Sequence, residues 1–142
     1  MHPAVSQRRR RANFKSVEEE LRYYHQLQQD LAQYKADIID ATDYSEVPAH
    51  TGPGNTVLAK VLRLRSSAAI LETERRICAI EYAIQTTRQH DPDRLRLIEL
   101  KYFDHRLTDE GIMEQLHVSR DTFYRWRRDF VRLVAERLGW EV

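Results

Sequence analysis

Near the C-terminus, Arg120, Arg125, Arg127 and Arg128 alternate with Thr122, Phe123, Tyr124 and Trp126 in the run SRDTFYRWRR, residues 119–128. A guanidinium can grip guanine O6 and N7 through two parallel hydrogen bonds, and each such pair discriminates against a wrong base by about 1–3 kcal/mol. A phenol can meet a phosphate or a thymine methyl, and hydroxyls near a helix N-terminus can bond phosphates. On that chemistry Arg120, Tyr124, Arg125 and Arg128, with Asp121, are candidates for base edges. Ser119, Thr122 and Arg127 are candidates for phosphates. Basic helix faces are often simply solvated, so the arginines alone decide little. The unit they belong to favours duplex DNA.

That unit reads as two short helices joined by a tight turn. Thr108 has the chemistry of an N-cap, and Asp109 and Glu110 follow in the first turn, where carboxylates suit the helix dipole. Ile112, Met113 and Leu116 make one apolar face, His117 and Val118 make the turn, and Ser119 caps the next helix. Many helix-turn-helix units carry alanine at the position of Met113 and glycine at that of His117. Flexible Met can fill the gap, and His tolerates the left-handed conformation at some cost. Phe123, Trp126 and Phe130 fall at i, i+3 and i+7, which predicts one buried stripe and assigns Trp126 to the core rather than to base stacking.

Upstream, Leu95, Ile98, Tyr102 and Phe103 predict the first helix of a trihelical unit, whose Lys101, His105 and Arg106 could reach the DNA backbone or remain solvated. Downstream, Leu133, Val134 and Leu138 continue the last helix to a stop at Gly139, after which Trp140 is expected to fold back as an apolar clasp.

Composition bounds the rest. The chain has 142 residues, four Gly, four Pro and one Cys, so an all-α protein of one ordinary or two small domains is the default. Apolar runs are too short for a membrane span or a signal peptide. Lone Cys78 allows no internal disulfide or multi-cysteine zinc site and fits a reducing cytoplasm. No carboxylate pair, metal cluster or nucleophile–base set rises above chance, so neither an enzyme nor a cofactor, metal or small-molecule ligand is expected. The formal net charge of +1 conceals blocks. Residues 1–15 carry four Arg and one Lys and no acid, residues 16–53 eight acids against two bases, and residues 119–132 five Arg against two Asp.

Residues 1–15 read as a basic flexible tail, either an arm on DNA or a solubilising extension. Residues 16–90 read as a long helical hairpin for assembly. Ser16 is its expected cap, and Tyr24, Leu27, Leu31, Tyr34, Ile38 and Ala41 form a narrow coiled-coil-like seam. Pro48, Gly52, Pro53 and Gly54 mark a loop, with Asn55 capping a second long helix striped by Val57, Val61, Leu64, Ala68 and Leu71. The loop lacks the strand and Gly-Lys-Ser/Thr signature of a phosphate loop, and His50 has no partner ligand. Residues 91–142 are the DNA-binding unit, with Asp91 or Asp93 as its first cap.

The segments LIELKYFDHRLTDEGI, LHVSRDTFYRWRRDFVRLVAERLGW and PGNTVLAK resemble the RinA family of phage transcriptional activators, related to the ArpU-type late regulators. The resemblance covers most of the chain and is strongest over residues 97–140, above all in Tyr124-Arg125-Trp126-Arg127 and Leu138-Gly139-Trp140. It implies an activator of late or packaging genes in a phage or prophage. It also implies a helix-turn-helix similar to the promoter-reading region of sigma factors, with residues 120–128 as recognition helix.

The expected fold is therefore all-α, a helical hairpin followed by a trihelical helix-turn-helix unit. The expected partners are double-stranded DNA, a second copy of the chain (a dimer before higher assemblies) and host RNA polymerase, with no membrane. Two rival readings remain. One is a small-terminase-like packaging component, in which the DNA reader usually precedes the assembly helices. The other is a sigma-like adaptor whose acidic Asp109, Glu110 and Glu114 meet polymerase.

Overall fold

A computed structural model describes residues 3–45 and 53–142, and their side chains at 4–40, 58, 59, 63 and 67–142. The regular structure of the described residues is all helical, with six α-helices: α1 (Pro3–Arg22), α2 (Tyr24–Ser45), α3 (Pro53–His90), α4 (Pro92–Ile98), α5 (Asp109–Leu116) and α6 (Arg120–Leu138). A π-helical segment, Glu99–Asp104, continues α4. Pro48, His50 and Gly52 of the expected loop lie outside the described residues, as do the side chains of Ala41, Val57, Val61 and Leu64.

The chain divides into two compact units, Met1–His25 with Arg76–Val142, and Gln26–Arg75. The division differs from the expected one at residue 90, because α1 and the last turns of α3 belong with the C-terminal helices.

The first unit holds most of the core. Val17 and Leu21 of α1, Ile80 and Ala83 of α3, Leu97 and Ile98 of α4, Tyr102, Ile112 of α5, and Phe123, Val131 and Val134 of α6 are all essentially inaccessible to solvent. Residues 1–15 were expected to be a flexible tail, yet Pro3 opens a helix that runs through them. Two physical terms outweigh the repulsion among Arg8, Arg9, Arg10 and Arg11. Arg, Gln and Ala are strong helix formers, and Phe14, Val17 and Leu21 at i, i+3 and i+7 give the helix a face to bury. Ser16 consequently caps nothing. It lies inside α1 and its hydroxyl donates to the Ala12 carbonyl at 3.0 Å. Helical geometry is interrupted only at Tyr23, which is exposed, whereas Tyr24 turns inward with its ring centre 5.3 Å from that of Phe103. Asn55 likewise falls within α3 rather than at its cap, Pro53 being the first helical residue.

Asp91 caps α4, accepting from the Asp93 amide at 3.0 Å with Pro92 as the first helical residue. Leu100 and Tyr102 of the π segment are buried together with Leu97 and Ile98 of α4. Tyr102 then donates its phenolic hydrogen to Glu18 Oε2 at 2.6 Å, tying α1 to the trihelical unit. Burial first, then the hydrogen bond to Glu18 and its charge, push the Tyr102 phenol well above its usual range. Burial, then the charge of Glu81, do the same to Tyr24. Unfolded tyrosine ionises at about pH 10 while these phenols resist, so their stabilisation is complete below that pH and is lost progressively above it, as pH rises toward and through the raised folded values. Tyr102→Phe removes the 2.6 Å hydrogen bond to the Glu18 carboxylate, which is only 12% exposed and keeps a 3.9 Å pair with Arg22. It is expected to cost about 1–3 kcal/mol at neutral pH and to flatten the alkaline loss of stability, both read from urea midpoints at neutral and alkaline pH.

In the second unit, Lys35 of α2 and Glu74 of α3 form a 3.3 Å ion pair between the two arms of the hairpin. Leu27 is nearly buried, whereas Leu31, Tyr34, Ile38, Ala69 and Ile70 remain half-buried and Ile39, Leu58 and Leu71 are exposed.

Candidate nucleic-acid interface

α5 and α6 are joined by the turn His117-Val118-Ser119, and each junction follows from local chemistry. Thr108 Oγ1 accepts from the Gly111 amide at 3.1 Å and caps α5. At the other end His117 adopts φ 54° and ψ 42°, while its amide donates to Glu114 O at 3.3 Å and that of Val118 to Met113 O at 3.1 Å. This is the helix-ending motif that glycine usually supplies, here built on histidine as expected. A β-carbon in that region costs about 1–2 kcal/mol, partly offset by the entropy glycine loses on folding. His117→Gly is accordingly expected to stabilise the protein by up to about 1 kcal/mol, seen as a higher denaturation midpoint. Ser119 caps α6, its Oγ accepting from the Thr122 amide at 3.2 Å and donating to Thr122 Oγ1 at 2.9 Å. α6 ends at Gly139, φ 73°, with the Trp140 amide bonded to Ala135 O at 2.8 Å. Trp140 is half-buried there, as the clasp reading expects.

α6 is sharply two-sided. Phe123, Phe130, Val131, Val134, Ala135 and Leu138 face the core. Asp121, Arg125, Arg128 and Arg132 are exposed on the opposite side, at i, i+4, i+7 and i+11. Among the described residues, none of Arg120, Arg125, Arg127, Arg128 and Arg132 has a carboxylate within ion-pairing distance. Arg22, Arg76, Arg94, Arg96, Lys101 and Arg106, by contrast, are each matched to an acid. The exposed face of α6 is thus an uncompensated strip of guanidinium groups beginning at a helix N-terminus whose own dipole favours anions.

The sequence candidates are distributed unevenly over this surface. Arg125, Arg128 and Asp121 lie on the open strip, with Arg120 exposed at its N-terminal end. Tyr124 is half-buried. Its ring stands perpendicular to Phe123 at 5.4 Å, and the guanidinium groups of Arg120 and Arg127 lie 5.6 and 5.0 Å from its centre. Arg127, a phosphate candidate, is turned the other way. Its guanidinium lies 5.2 Å from the Phe14 ring of α1, and its Nε is buried without a hydrogen-bond partner. Stacking between two rings keeps it in the α1–α6 junction. Ser119 and Thr122 are engaged at the cap, exposed and half-buried respectively.

Lys101 departs most from expectation. Its side chain is 12% exposed, its ammonium is 2.8 Å from Asp109 Oδ1, and it lies 5.4 and 5.6 Å from the ring centres of Tyr102 and Phe123. In the structure it is a largely buried cation that clamps the π segment to the start of α5. Arg106 is the reverse, 83% exposed with Asp104 at 3.0 Å. His105 ends the π segment in the left-handed conformation, φ 56°.

Trp126 is half-buried, with its Nε1 inaccessible and unpartnered. Arg94 lies over its ring at 5.5 Å and reaches Asp91 and Asp129, each at 3.5 Å. This fastens the cap of α4 to α6 and keeps the indole beside a shallow cleft of about 110 Å³ that Thr87, Ile98 and Phe130 also line. The core assignment for Trp126 therefore describes one edge of the ring only.

Two contributors were not singled out from the sequence. Arg132 extends the open strip by one turn, and the i, i+4 spacing from Arg128 carries that signal. Phe14 buttresses Arg127, and its spacing to Val17 and Leu21 is the mark of a buried helix face.

Among the described residues, no group of three His, Cys, Asp or Glu side chains could hold a metal ion, and no helix is long and apolar enough to cross a membrane. Residues 91–137 are similar to the homeodomain-like domain family, so the helix-turn-helix part of the chain has that character. No curated protein and no solved structure matches the chain.

Proposed function

We propose that this protein binds double-stranded DNA sequence-specifically through α6 and regulates transcription. The observation that carries the reading is the unpaired guanidinium strip on the exposed face of a capped second helix. The homeodomain-like character of residues 91–137, which suggests DNA binding, supports it. In this reading Arg125 and Arg128 meet base edges, with Arg120, Asp121 and Tyr124 beside them. Ser119, Thr122 and Arg106 meet phosphates, and Arg127 holds Tyr124 in place. The resemblance to the RinA-type activators makes a phage or prophage late or packaging gene the proposed target, with activation the proposed outcome.

The hairpin Gln26–Arg75 is proposed to self-associate, a dimer presenting two reading helices to two half-sites. Its support is the incomplete cover of Leu31, Tyr34, Ile38 and Ile70 by two helices alone, with Ile39, Leu58 and Leu71 left in solvent. A further contact with host RNA polymerase would use the exposed acids Glu110 and Glu114 of α5.

Selection from a randomised duplex pool tests the binding reading. Enrichment of one site, two-fold symmetric if the chain is dimeric, is the expected result. A pool that stays random after repeated rounds refutes base reading. Light scattering distinguishes the assemblies: a closed ring of many subunits favours a packaging role, and a monomer at micromolar concentration removes the dimer.

A further inference from the structure

We infer that the N-terminal half of α1 is a second DNA-contacting surface, a rigid cationic helix that takes phosphates outside the groove read by α6. This rests on the DNA-binding reading above and adds a surface to it. Arg8, Arg9, Arg11 and Lys15 are exposed on α1, and among the described residues none has a carboxylate within ion-pairing distance. Residues 4–17 contain no acid at all. Unpaired cations therefore gather on two helices, α6 and α1, and these two helices pack against each other.

One contact joins the two helices directly, and two reach the residues that follow α6. Phe14 lies against Arg127, Asn13 Nδ2 donates to the Glu141 carbonyl at 2.7 Å, and Arg10 Nε is 3.9 Å from Glu141 Oε2. These contacts take up Arg10, Asn13 and Phe14, one side of the helix, and leave Arg8, Arg11 and Lys15 on the stripe opposite, with Arg9 between. The distances favour phosphate rather than base edges. Packed helices lie about 8–10 Å apart axis to axis, and the major groove is about 12 Å wide. A second helix packed at that distance does not share the groove, which leaves its cations the phosphates outside it. Along α1, Arg8 to Lys15 spans about 10 Å at 1.5 Å per residue, enough to follow several phosphates of one strand.

Each phosphate neutralised adds about 0.9 to the slope of log K against log salt. The test compares the full chain with Arg8→Gln/Arg9→Gln/Arg11→Gln, binding a 30-base-pair duplex of random sequence and the duplex selected above across a salt series. The expected result is a slope smaller by about two to three on both duplexes, with the ratio between the two affinities kept. The matching triple Lys variant should restore the slope. Circular dichroism should be unchanged, because the replaced groups are exposed and unpaired and Gln is a good helix former.

An unchanged slope overturns the inference while leaving DNA binding by α6 intact. A wild type that binds neither duplex at low salt overturns the DNA-binding reading and this one with it. Arginine-dependent binding to vesicles containing phosphatidylserine, with the duplex slope unchanged, assigns the helix to a membrane surface and also overturns it.

Discussion

Arg125→Ala is expected to weaken binding to the selected duplex by about 5- to 150-fold, the loss of one two-point guanine contact, while binding to random duplex falls only severalfold. The asymmetry follows from where the side chain stands. Arg125 is exposed near the middle of the open face of α6, four residues after Asp121 and three before Arg128, and no described carboxylate holds it back. Nothing in the fold depends on it, so a lost affinity cannot be charged to a lost structure. Thermal unfolding should accordingly move little, since exposed substitutions of this kind stay within about 0.5 kcal/mol. Equal loss on selected and random duplexes would assign Arg125 to phosphate instead. Titrating the two duplexes by fluorescence anisotropy at one fixed salt concentration gives the comparison.

Phe123→Ala is expected to have the largest effect on the fold, about 3–5 kcal/mol, set against a total of about 5–15 kcal/mol for a domain of ordinary stability. Phe123 is 0% exposed in the core of the trihelical unit. Its ring stands against Tyr124 and beneath the Lys101 ammonium, which is also the anchor of Asp109. Removing it opens a cavity, strips one ring from a largely buried cation and releases the edge contact that orients Tyr124. Trp126 and Trp140 lie in the same unit and report its unfolding by fluorescence. Arg132→Ala, on the opposite face of the same helix, serves as the comparison with an expected change under about 0.5 kcal/mol. Equal midpoints for the two variants would contradict the assignment of faces on α6.

The helix-turn-helix part was legible in the sequence because its determinants are local. Thr108 and Ser119 cap their helices through side-chain oxygens that accept from amides three residues on, and Gly139 ends α6 in the conformation glycine favours. Such interactions are written within four residues of chain, and the i, i+3, i+7 spacing of Phe123, Trp126 and Phe130 adds the buried face. What was missed depends on distant partners. The arginine run at 8–11 resembles a disordered tail until Glu141, beyond α6, and Arg127 of α6 are there for Asn13 and Phe14 to meet. Lys101 resembles a surface cation until the π segment turns it onto Asp109, and a π turn leaves no periodic signature in residues that a regular helix would also accept. Arg127 sits one residue from Arg128, yet the two point in different directions because consecutive helical residues are about 100° apart. Composition could not divide them, whereas the position of Phe14 does.

The central claim, that the exposed face of α6 reads duplex DNA, is tested most directly by nitrogen-15 NMR of the full chain titrated with the selected duplex. The expected result is a set of amide and arginine side-chain shifts concentrated in residues 119–132, with Gln26–Arg75 left largely unmoved. Shifts confined to the hairpin, or to Glu110 and Glu114 of α5 with α6 silent, would contradict it.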